Sequence, residues 1–166
     1  MKIIGDKLIA EVSSQANESS RKRQNYNFHE TLDAIVQRML NALEPGTYVQ
    51  PHKHENPDKV EAFIILKGKV LVVEFDDAGN ITTCCILSAA NKVFGAEISP
   101  GTWHTIASLE PGSIVYEVKQ GPYSPINDKN FAPWAPKEDD PTCKQYLKKL
   151  LEHCKVGTTD KSLQML

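Results

Sequence analysis

The sequence predicts an all-β protein, a barrel or sandwich of short strands that carries a short N-terminal helix and a C-terminal helix. Short apolar runs recur through the middle of the chain, and glycine and proline residues separate them. Residues 76–80, Asp-Asp-Ala-Gly-Asn, have the composition of a hairpin turn. The predicted strands are residues 25–29, 35–43, 48–52, 62–66, 70–75, 81–87, 103–108 and 114–119. Many short strands with frequent breaks favour a closed or sandwiched sheet.

Two helices are predicted at the ends of this strand region. Asp6 is placed to cap the first, and a polar, serine-rich connector is predicted after it, at residues 13–20. The apolar face of the first helix consists of Leu8, Ile9 and Val12. Asp140-Pro141 predicts the start of the second helix, a capping carboxylate followed by proline. One stripe of that helix carries Tyr146, Leu147, Leu150, Leu151 and Cys154, so it is expected to pack on the sheet.

The chain is expected to form one domain in three parts. Residues 1–30 are the N-terminal helix and strand segment, residues 31–121 the barrel core, and residues 122–166 a wrap and the C-terminal helix. Residues 122–141 hold five of the ten prolines, which predicts irregular structure around the outside of the sheet. The last dozen residues are expected to fray, and His153 to lie on the surface near the end of the helix.

Composition narrows the possible partners and compartment. The 166 residues are 40% hydrophobic, which is enough for a sizeable core, and a net charge of −2 gives no reason to expect nucleic acid or an anionic membrane. No apolar stretch is long enough for a membrane span or a secretion signal. Four cysteines, two of them adjacent at Cys84 and Cys85, do not resemble a disulfide framework. We expect one of that pair to be buried and the other exposed, and the protein to be cytoplasmic.

Three histidines and a glutamate indicate a metal site. His52 and His54 are two residues apart, so an extended strand would place both on one face. Glu61 begins the next apolar run, and His104 follows a Pro-Gly turn in a third segment. Imidazole nitrogens with one carboxylate oxygen suit a divalent transition metal such as Fe, Mn, Ni, Co or Zn.

These residues resemble the two motifs of the cupins. Gly46 precedes His52-x-His54 by five intervening residues, Glu61 precedes Gly68 by six, and Gly101-Thr102-Trp103-His104 matches the second motif. The resemblance implies a cupin jelly roll, with these three histidines and a carboxylate as ligands. Asp58 is the rival carboxylate, because it gives a shorter gap after His54. We favour Glu61, since Asp58 follows Pro57 in a predicted turn.

A closer resemblance covers most of the chain. Residues 21–30 (RKRQNYNFHE), 36–46 (VQRMLNALEPG) and 131–136 (FAPWAP) are similar to the WbuC-type cupin-fold metalloproteins. Members of that family occur in bacteria, and some are encoded among genes for surface-polysaccharide synthesis. Cupin barrels often pair, so the resemblance implies a homodimer, for which the strand that carries Tyr26 and Phe28 is the expected contact.

Period-two alternation suggests which side chains line the site. It places Tyr48 and Gln50 on the face of His52, as residues that support the ligands or touch a substrate. The same alternation places Phe63, Ile65 and Ile106 inside the barrel, where we expect them to be core.

A second group of residues could bind an anionic small molecule. They come from the basic run, from the strand that follows it and from the next predicted strand: Arg21, Arg23, Asn27, His29 and Arg38. We expect this strand to cross the barrel mouth, because few other basic groups lie near the metal motifs in the sequence. The alternative is an edge strand with a solvated basic turn.

Two functions are consistent with these features, and the sequence does not decide whether the protein is an enzyme. The first is a small metalloenzyme for a sugar-derived or carboxylate-bearing metabolite, with isomerase, epimerase or oxygenase chemistry. The second is a non-catalytic, metal-dependent binding or sensing module.

Overall fold

The computed structural model describes residues 1–124 and 129–154. Its elements, in chain order, are α1 Asp6–Glu18, β1 Arg23–Asn27, β2 Val36–Leu43, β3 His52–Lys53, β4 Glu61–Lys67, β5 Val70–Phe75, β6 Ile81–Leu87, β7 Gly95–Ile98, β8 Trp103–Ser108, β9 Ser113–Gln120, β10 Asn130–Phe131 and α2 Cys143–His153. The strands form two five-stranded sheets. The first has the order β1-β2-β9-β4-β7 and the second the order β10-β3-β8-β5-β6. The predicted all-β jelly roll with a helix near each end is confirmed.

The two sheets pack face to face around an apolar interior. Side chains from both sheets meet there: Leu43, Phe63, Ile65, Ile98 and Val115 from the first, and Val70, Val72, Leu87 and Ile106 from the second. Phe63, Ile65 and Ile106 are therefore core residues, as alternation predicts. The face of each sheet that is turned toward the other sheet is called the inner face below.

Each outer face is covered by one helix. Val12 and Ala16 of α1 are fully buried against Leu40 and Ala42 of β2. On the second sheet, the outer face is covered by the proline-rich segment and by the predicted stripe of α2. That stripe consists of Leu147, Leu150 and Cys154, which are buried, and Tyr146 and Leu151, which are partly buried. Apolar residues thus fill three layers, and the inner one contains the site.

Several boundaries differ from the sequence-based expectation. The prediction of a serine-rich connector at residues 13–20 is wrong, because the helix continues to Glu18. Ala16 lies one turn after Val12, and its burial keeps residues 13–18 helical. Residues 48–51 are not a strand, since regular pairing begins only at His52. The helix α2 begins at Cys143. Asp140 Oδ1 instead accepts hydrogen bonds from the N–H and Oγ1 of Thr142 in the preceding turn.

Two short strands and one side-chain pair also differ. The strands β7 and β10 were not predicted, and β10 lies within the proline-rich segment. Cys84 and Cys85 are both half-buried because each face of β6 is covered, Cys84 packing on the outer cluster and Cys85 on the inner one.

His153 is exposed as predicted. The predicted fraying of the last dozen residues lies outside the described part of the chain. No helix among the described residues is long and apolar enough to cross a membrane.

Candidate metal centre

Four buried side chains converge on the inner faces of the two sheets. One ligand atom from each of His52, His54, Glu61 and His104 lies within 4.8 Å of all the others. Their side chains are almost inaccessible, with residue exposures of 1–3%. Three imidazole groups and one carboxylate therefore surround a single point in the interior.

Long-range pairing brings these residues together. His52 of β3 lies directly opposite His104 of β8, and Glu61 comes from β4 of the other sheet. Gly101 has a φ of +72°, which glycine adopts without the strain that a side chain would add. Its N–H donates to the carbonyl of His54 at 3.0 Å. The turn before β8 is thus attached to the first histidine segment.

Backbone carbonyls fix the protonation of two of the imidazole rings. His52 Nδ1 donates to the carbonyl of Gln50 at 3.0 Å, and His104 Nδ1 donates to that of Thr102 at 2.9 Å. A carbonyl oxygen can only accept, so in each neutral ring the proton is on Nδ1 and the lone pair on Nε2. This arrangement is typical of histidines that bind a metal through Nε2.

The Nε2 atoms of two rings lie close to one carboxylate oxygen. Glu61 Oε2 is 2.9 Å from His104 Nε2 and 3.4 Å from His54 Nε2. Burial opposes ionisation of Glu61, but the neighbouring imidazoles of His104 and His54 outweigh it and hold the pKa of Glu61 well below its usual range. Burial, together with the nearby charge of Lys129, lowers the pKa of His52 and keeps that ring neutral.

These observations fit a bound cation. Within the described residues, His52 Nε2 is buried and has no hydrogen-bond partner. A lone pair on His104 Nε2 would repel the carboxylate of Glu61 unless a proton or a metal ion lay between them. A divalent ion would accept all these electron pairs at once, and three nitrogens with one oxygen form a ligand set of borderline softness.

The structure distinguishes between the two carboxylates. Glu61 belongs to the cluster, whereas Asp58 is exposed in the turn that precedes β4. The preference for Glu61 over Asp58 agrees with this geometry.

Alternation predicts that Tyr48 and Gln50 lie on the same face as His52, but Tyr48 does not. Tyr48 packs on the outer face of the second sheet, and its hydroxyl donates to the carbonyl of Pro136 at 2.8 Å. Residues 48–51 are not a strand, so period-two alternation does not apply to them. Gln50 is buried, and its carbonyl orients His52.

The arginines proposed to bind an anion have other partners. Arg21 lies 2.8 Å from Glu138 Oε2, and Arg23 forms an ion pair with the other oxygen of the same carboxylate. Arg23 also donates to the carbonyl of Tyr48 at 2.8 Å. Arg38 lies on the outer face of the first sheet, in a groove of about 650 Å³ that Phe28 and Tyr116 also line. The positions of these arginines give no support to a role at the metal site.

The N-terminal strand does not cross the barrel mouth. The strand β1 lies at the edge of the first sheet, separated from β4 by β2 and β9. Asn27 is exposed on β1. His29 is buried, and its Nδ1 accepts a hydrogen bond from the N–H of Arg38 at 3.1 Å, which continues the pairing of this edge.

Sequence reasoning missed a polar group beside Glu61. Asn41 Nδ2 donates to Glu117 Oε2 at 2.9 Å, and the carboxyl of Glu117 forms a hydrogen bond with Glu61. Burial and the charge of Glu61 raise the pKa of Glu117 to about 8, so Glu117 is the donor in that bond. Lys119 and Lys129 both lie near these two carboxyl groups. The only signal in the sequence is that Glu117 and Lys119 alternate with apolar residues on one predicted strand.

The fold and the arrangement of this cluster define a cupin jelly roll with a candidate metal site. The chain belongs to the family described as a domain of unknown function, DUF6016, which matches residues 4–87. No curated protein matches the chain.

Solved structures show the same fold. The L-ribose isomerase of Cellulomonas parahominis is 14% identical, with a TM-score of 0.54, and the match covers 68% of this chain and 70% of the isomerase. The capsular polysaccharide assembling protein CapF of Staphylococcus aureus is 24% identical, with a TM-score of 0.54 over 68% of this chain. The chain spans only 32% of CapF. CapF with the inhibitor 3-isopropenyl-tropolone is 25% identical, with a TM-score of 0.50, and the match covers 63% of this chain and 30% of CapF.

Proposed function

We propose that this protein is a metal-dependent cupin that holds one divalent transition metal ion and acts on a sugar-derived or carboxylate-bearing small molecule. The proposed ligands are His52, His54, Glu61 and His104. The observation that carries the proposal is the geometry of their ligand atoms, which lie within 4.8 Å of one another and are buried. In particular, His52 Nε2 is buried without a hydrogen-bond partner in the described part of the chain.

The residues around the ligands would hold them in position. Backbone carbonyls fix the rings of His52 and His104, and the carboxyl of Glu117 holds Glu61 through a hydrogen bond. Phe63 and Ile106 belong to the inner apolar cluster, which limits water around the site. When bound, the ion would supply Lewis-acid polarisation of substrate oxygens or activation of a water molecule.

The proposed reaction classes are isomerisation, epimerisation and oxygenation. The L-ribose isomerase of C. parahominis, which has the same fold, acts on a sugar and has been crystallised with L-psicose. CapF takes part in capsular polysaccharide assembly. Together with the resemblance to WbuC-type proteins, these likenesses support a sugar-derived substrate and a role linked to surface polysaccharide.

A turnover screen tests this proposal. The metal-loaded protein would be incubated with aldoses, ketoses and sugar acids, with and without dioxygen, and the products followed by nuclear magnetic resonance. Conversion should depend on His52 and disappear in His52→Ala. His29→Ala is the matched control, because it removes another buried histidine that lies outside the cluster. Conversion that persists in metal-free His52→Ala would reject the proposed mechanism.

One observation favours the alternative, a non-catalytic metal-dependent binding or sensing module. The four proposed ligands have exposures of only 1–3%, so solvent has little direct access to them. A sealed site would release its ion to a chelator only on global unfolding. This second function is favoured if the chelator removes the metal only at the rate of global unfolding and no compound in the screen is converted.

We further propose that the protein is cytoplasmic and forms a homodimer. The three sequence segments of each chain would form one domain. All four cysteines are free thiols, which supports a reducing compartment. The strand β1 pairs on one side only within the described residues, and Tyr26 on it is 37% exposed. Phe28 is buried under α1, so it would not contribute to the contact.

A further inference from the structure

We propose that Cys84 and Cys154 form a reversible disulfide when the protein meets a low-molecular-weight disulfide such as oxidised glutathione. The two side chains lie in the apolar cluster on the outer face of the second sheet, whereas the proposed metal ligands lie on the inner faces. The bond would join the end of α2 to the strand β6. It is a modification site that goes beyond the proposed function and does not depend on a bound metal.

Packing brings these two cysteines together from distant parts of the chain. Cys84 pairs with Val73 between β6 and β5, and both side chains belong to the outer cluster. Cys154 directly follows α2 and is the last member of the stripe that packs on this sheet. The thiols of Cys154 and Cys84 share a side-chain hydrogen bond. Two thiols in hydrogen-bond contact need only a small local shift to reach the geometry of a disulfide.

The fold selects this pair from the four cysteines. Cys85 packs on the inner cluster, because neighbouring residues of a strand point to opposite faces. Cys143 begins α2, eleven residues before Cys154, so about 16 Å of helix separates the two. The thiol that Cys154 can reach is therefore that of Cys84.

Exposure and protonation set the order of the two steps. Cys84 is half-buried, so solvent reaches it, whereas only 4% of Cys154 is exposed. Burial, followed by the hydrogen bond and charge of Cys84, raises the pKa of Cys154 to about 12, so that thiol stays protonated at neutral pH. The thiolate, not the thiol, is the nucleophile in disulfide exchange. Reaction with the small disulfide therefore begins at Cys84.

The exchange consumes one molecule of oxidised glutathione. Cys84 releases its proton to water, and its sulfur attacks one sulfur of the glutathione disulfide. This step forms a mixed disulfide and releases one glutathione thiolate, which takes up a proton. The sulfur of Cys154 then attacks Cys84 Sγ and breaks the mixed disulfide, and the proton of Cys154 passes to the second glutathione. The protein thiols lose two electrons, and glutathione disulfide gains them to become two thiols.

The reverse exchange makes the site reversible. Excess reduced glutathione attacks the protein disulfide by the same steps in the opposite order. A reducing compartment therefore keeps Cys84 and Cys154 as the free thiols of the present structure. A rise in the oxidised form of the glutathione pool would close the bond and hold α2 on the sheet.

Thiol counting on the full chain as purified tests the site. The protein would be incubated with oxidised glutathione, alkylated, digested and analysed by mass spectrometry. Free thiols should fall from four to two, and one cross-linked peptide should join Cys84 to Cys154. The oxidised protein should melt about 5 °C or more above the reduced protein, because the bond closes a long loop in the unfolded chain. Dithiothreitol should reverse both changes.

Alanine variants identify the cysteines that react. Cys84→Ala and Cys154→Ala should each lose the cross-link and the melting shift, whereas the matched controls Cys85→Ala and Cys143→Ala should keep both. A wild-type protein that keeps four free thiols, or that stops at a glutathione adduct on Cys84, overturns the proposal. A cross-link through Cys85 or Cys143, or between two chains, overturns it as well.

Discussion

His104 Nε2 lies 2.9 Å from Glu61 Oε2, although the same ring donates its Nδ1 proton to the carbonyl of Thr102. In its neutral form this ring directs a lone pair at a carboxylate. Two strands from opposite sheets maintain this contact in the buried interior. A proton or a cation must lie between the two groups, and the nearby imidazoles of His52 and His54 complete a ligand set for a cation.

Binding of an ion should stabilise the folded protein. The ligands come from three distant segments, so the unfolded chain has no comparable site. Zinc added at about one hundred times its dissociation constant should raise the free energy of unfolding by about 2.7 kcal/mol. Thermal melts with zinc and with a chelator measure the effect. His104→Ala should lose the shift and His29→Ala should keep it, and an equal shift in both would contradict the assignment.

Removal of Glu138 should destabilise the protein in a pH-dependent way. Burial opposes ionisation of Glu138, but the hydrogen bond and charge of Arg23, followed by those of Arg21, lower its pKa below the usual 4.5. A lowered pKa means that the pair stabilises the fold above about pH 4.5 and that this contribution is lost as the pH falls through the folded-state pKa. Arg23 is only 12% exposed, so Glu138→Gln should cost about 1 kcal/mol at pH 7.

Urea unfolding at pH 7 and at successively lower pH measures this difference. Glu152→Gln is the control, because Glu152 is 63% exposed and 3.8 Å from Lys148, a pair that contributes little. The difference in the free energy of unfolding between wild type and Glu138→Gln should shrink as the pH falls. A difference that stays constant down to the acid transition would show that the ion pair is not its cause.

Gly101→Ala should affect metal binding more than Gly46→Ala. Both glycines have positive φ, +72° and +86°, and a Cβ at either would meet nothing within 4 Å. Each substitution should therefore cost about 1 kcal/mol of backbone strain. Only Gly101 hydrogen-bonds to His54 and precedes His104 by three residues, so only that variant should bind zinc more weakly. Equal zinc affinity in both variants, measured by competition with a chelator, would argue against this role for the turn.

Light scattering at micromolar concentration should give twice the chain mass of 18.5 kDa. Tyr26→Glu, which places a charge on the unpaired edge strand, should shift the protein toward monomer. Phe94→Glu is the control, because Phe94 is another exposed aromatic residue, outside that strand. A wild-type mass of 18.5 kDa would reject the homodimer.

Residue spacing and the resemblance to the cupin motifs indicated the four clustered residues, and short apolar runs between glycines and prolines predicted the all-β class. His52 and His54 lie near Gly46, and His104 near Gly101, in patterns that remain readable because turns need glycine at fixed positions. Most strands were also recognisable, since their apolar residues pack on both faces of each sheet. These features are local, and local patterns are visible in one sequence.

The pairing of strands that are distant in the chain could not be predicted from the sequence. Glu117 and Lys119 lie beside Glu61 only because β9, far along the chain, pairs with β4. The predicted inward position of Tyr48 failed for a related reason. Alternation assumes a strand, and residues 48–51 form none. The ion pairs of Arg21 and Arg23 with Glu138 could not be predicted either, because Glu138 lies 115 residues after Arg23.

Elemental analysis of protein purified without added metal tests the central claim most directly. Wild type, Asp58→Asn and His29→Ala should each contain about one divalent ion per chain, whereas Glu61→Gln and His52→Ala should contain almost none. Circular dichroism should report the same β-sheet content in all five proteins, since the apolar interior does not depend on the ion. A wild-type protein without metal, or loss of metal in Asp58→Asn with retention in Glu61→Gln, would contradict the site described above.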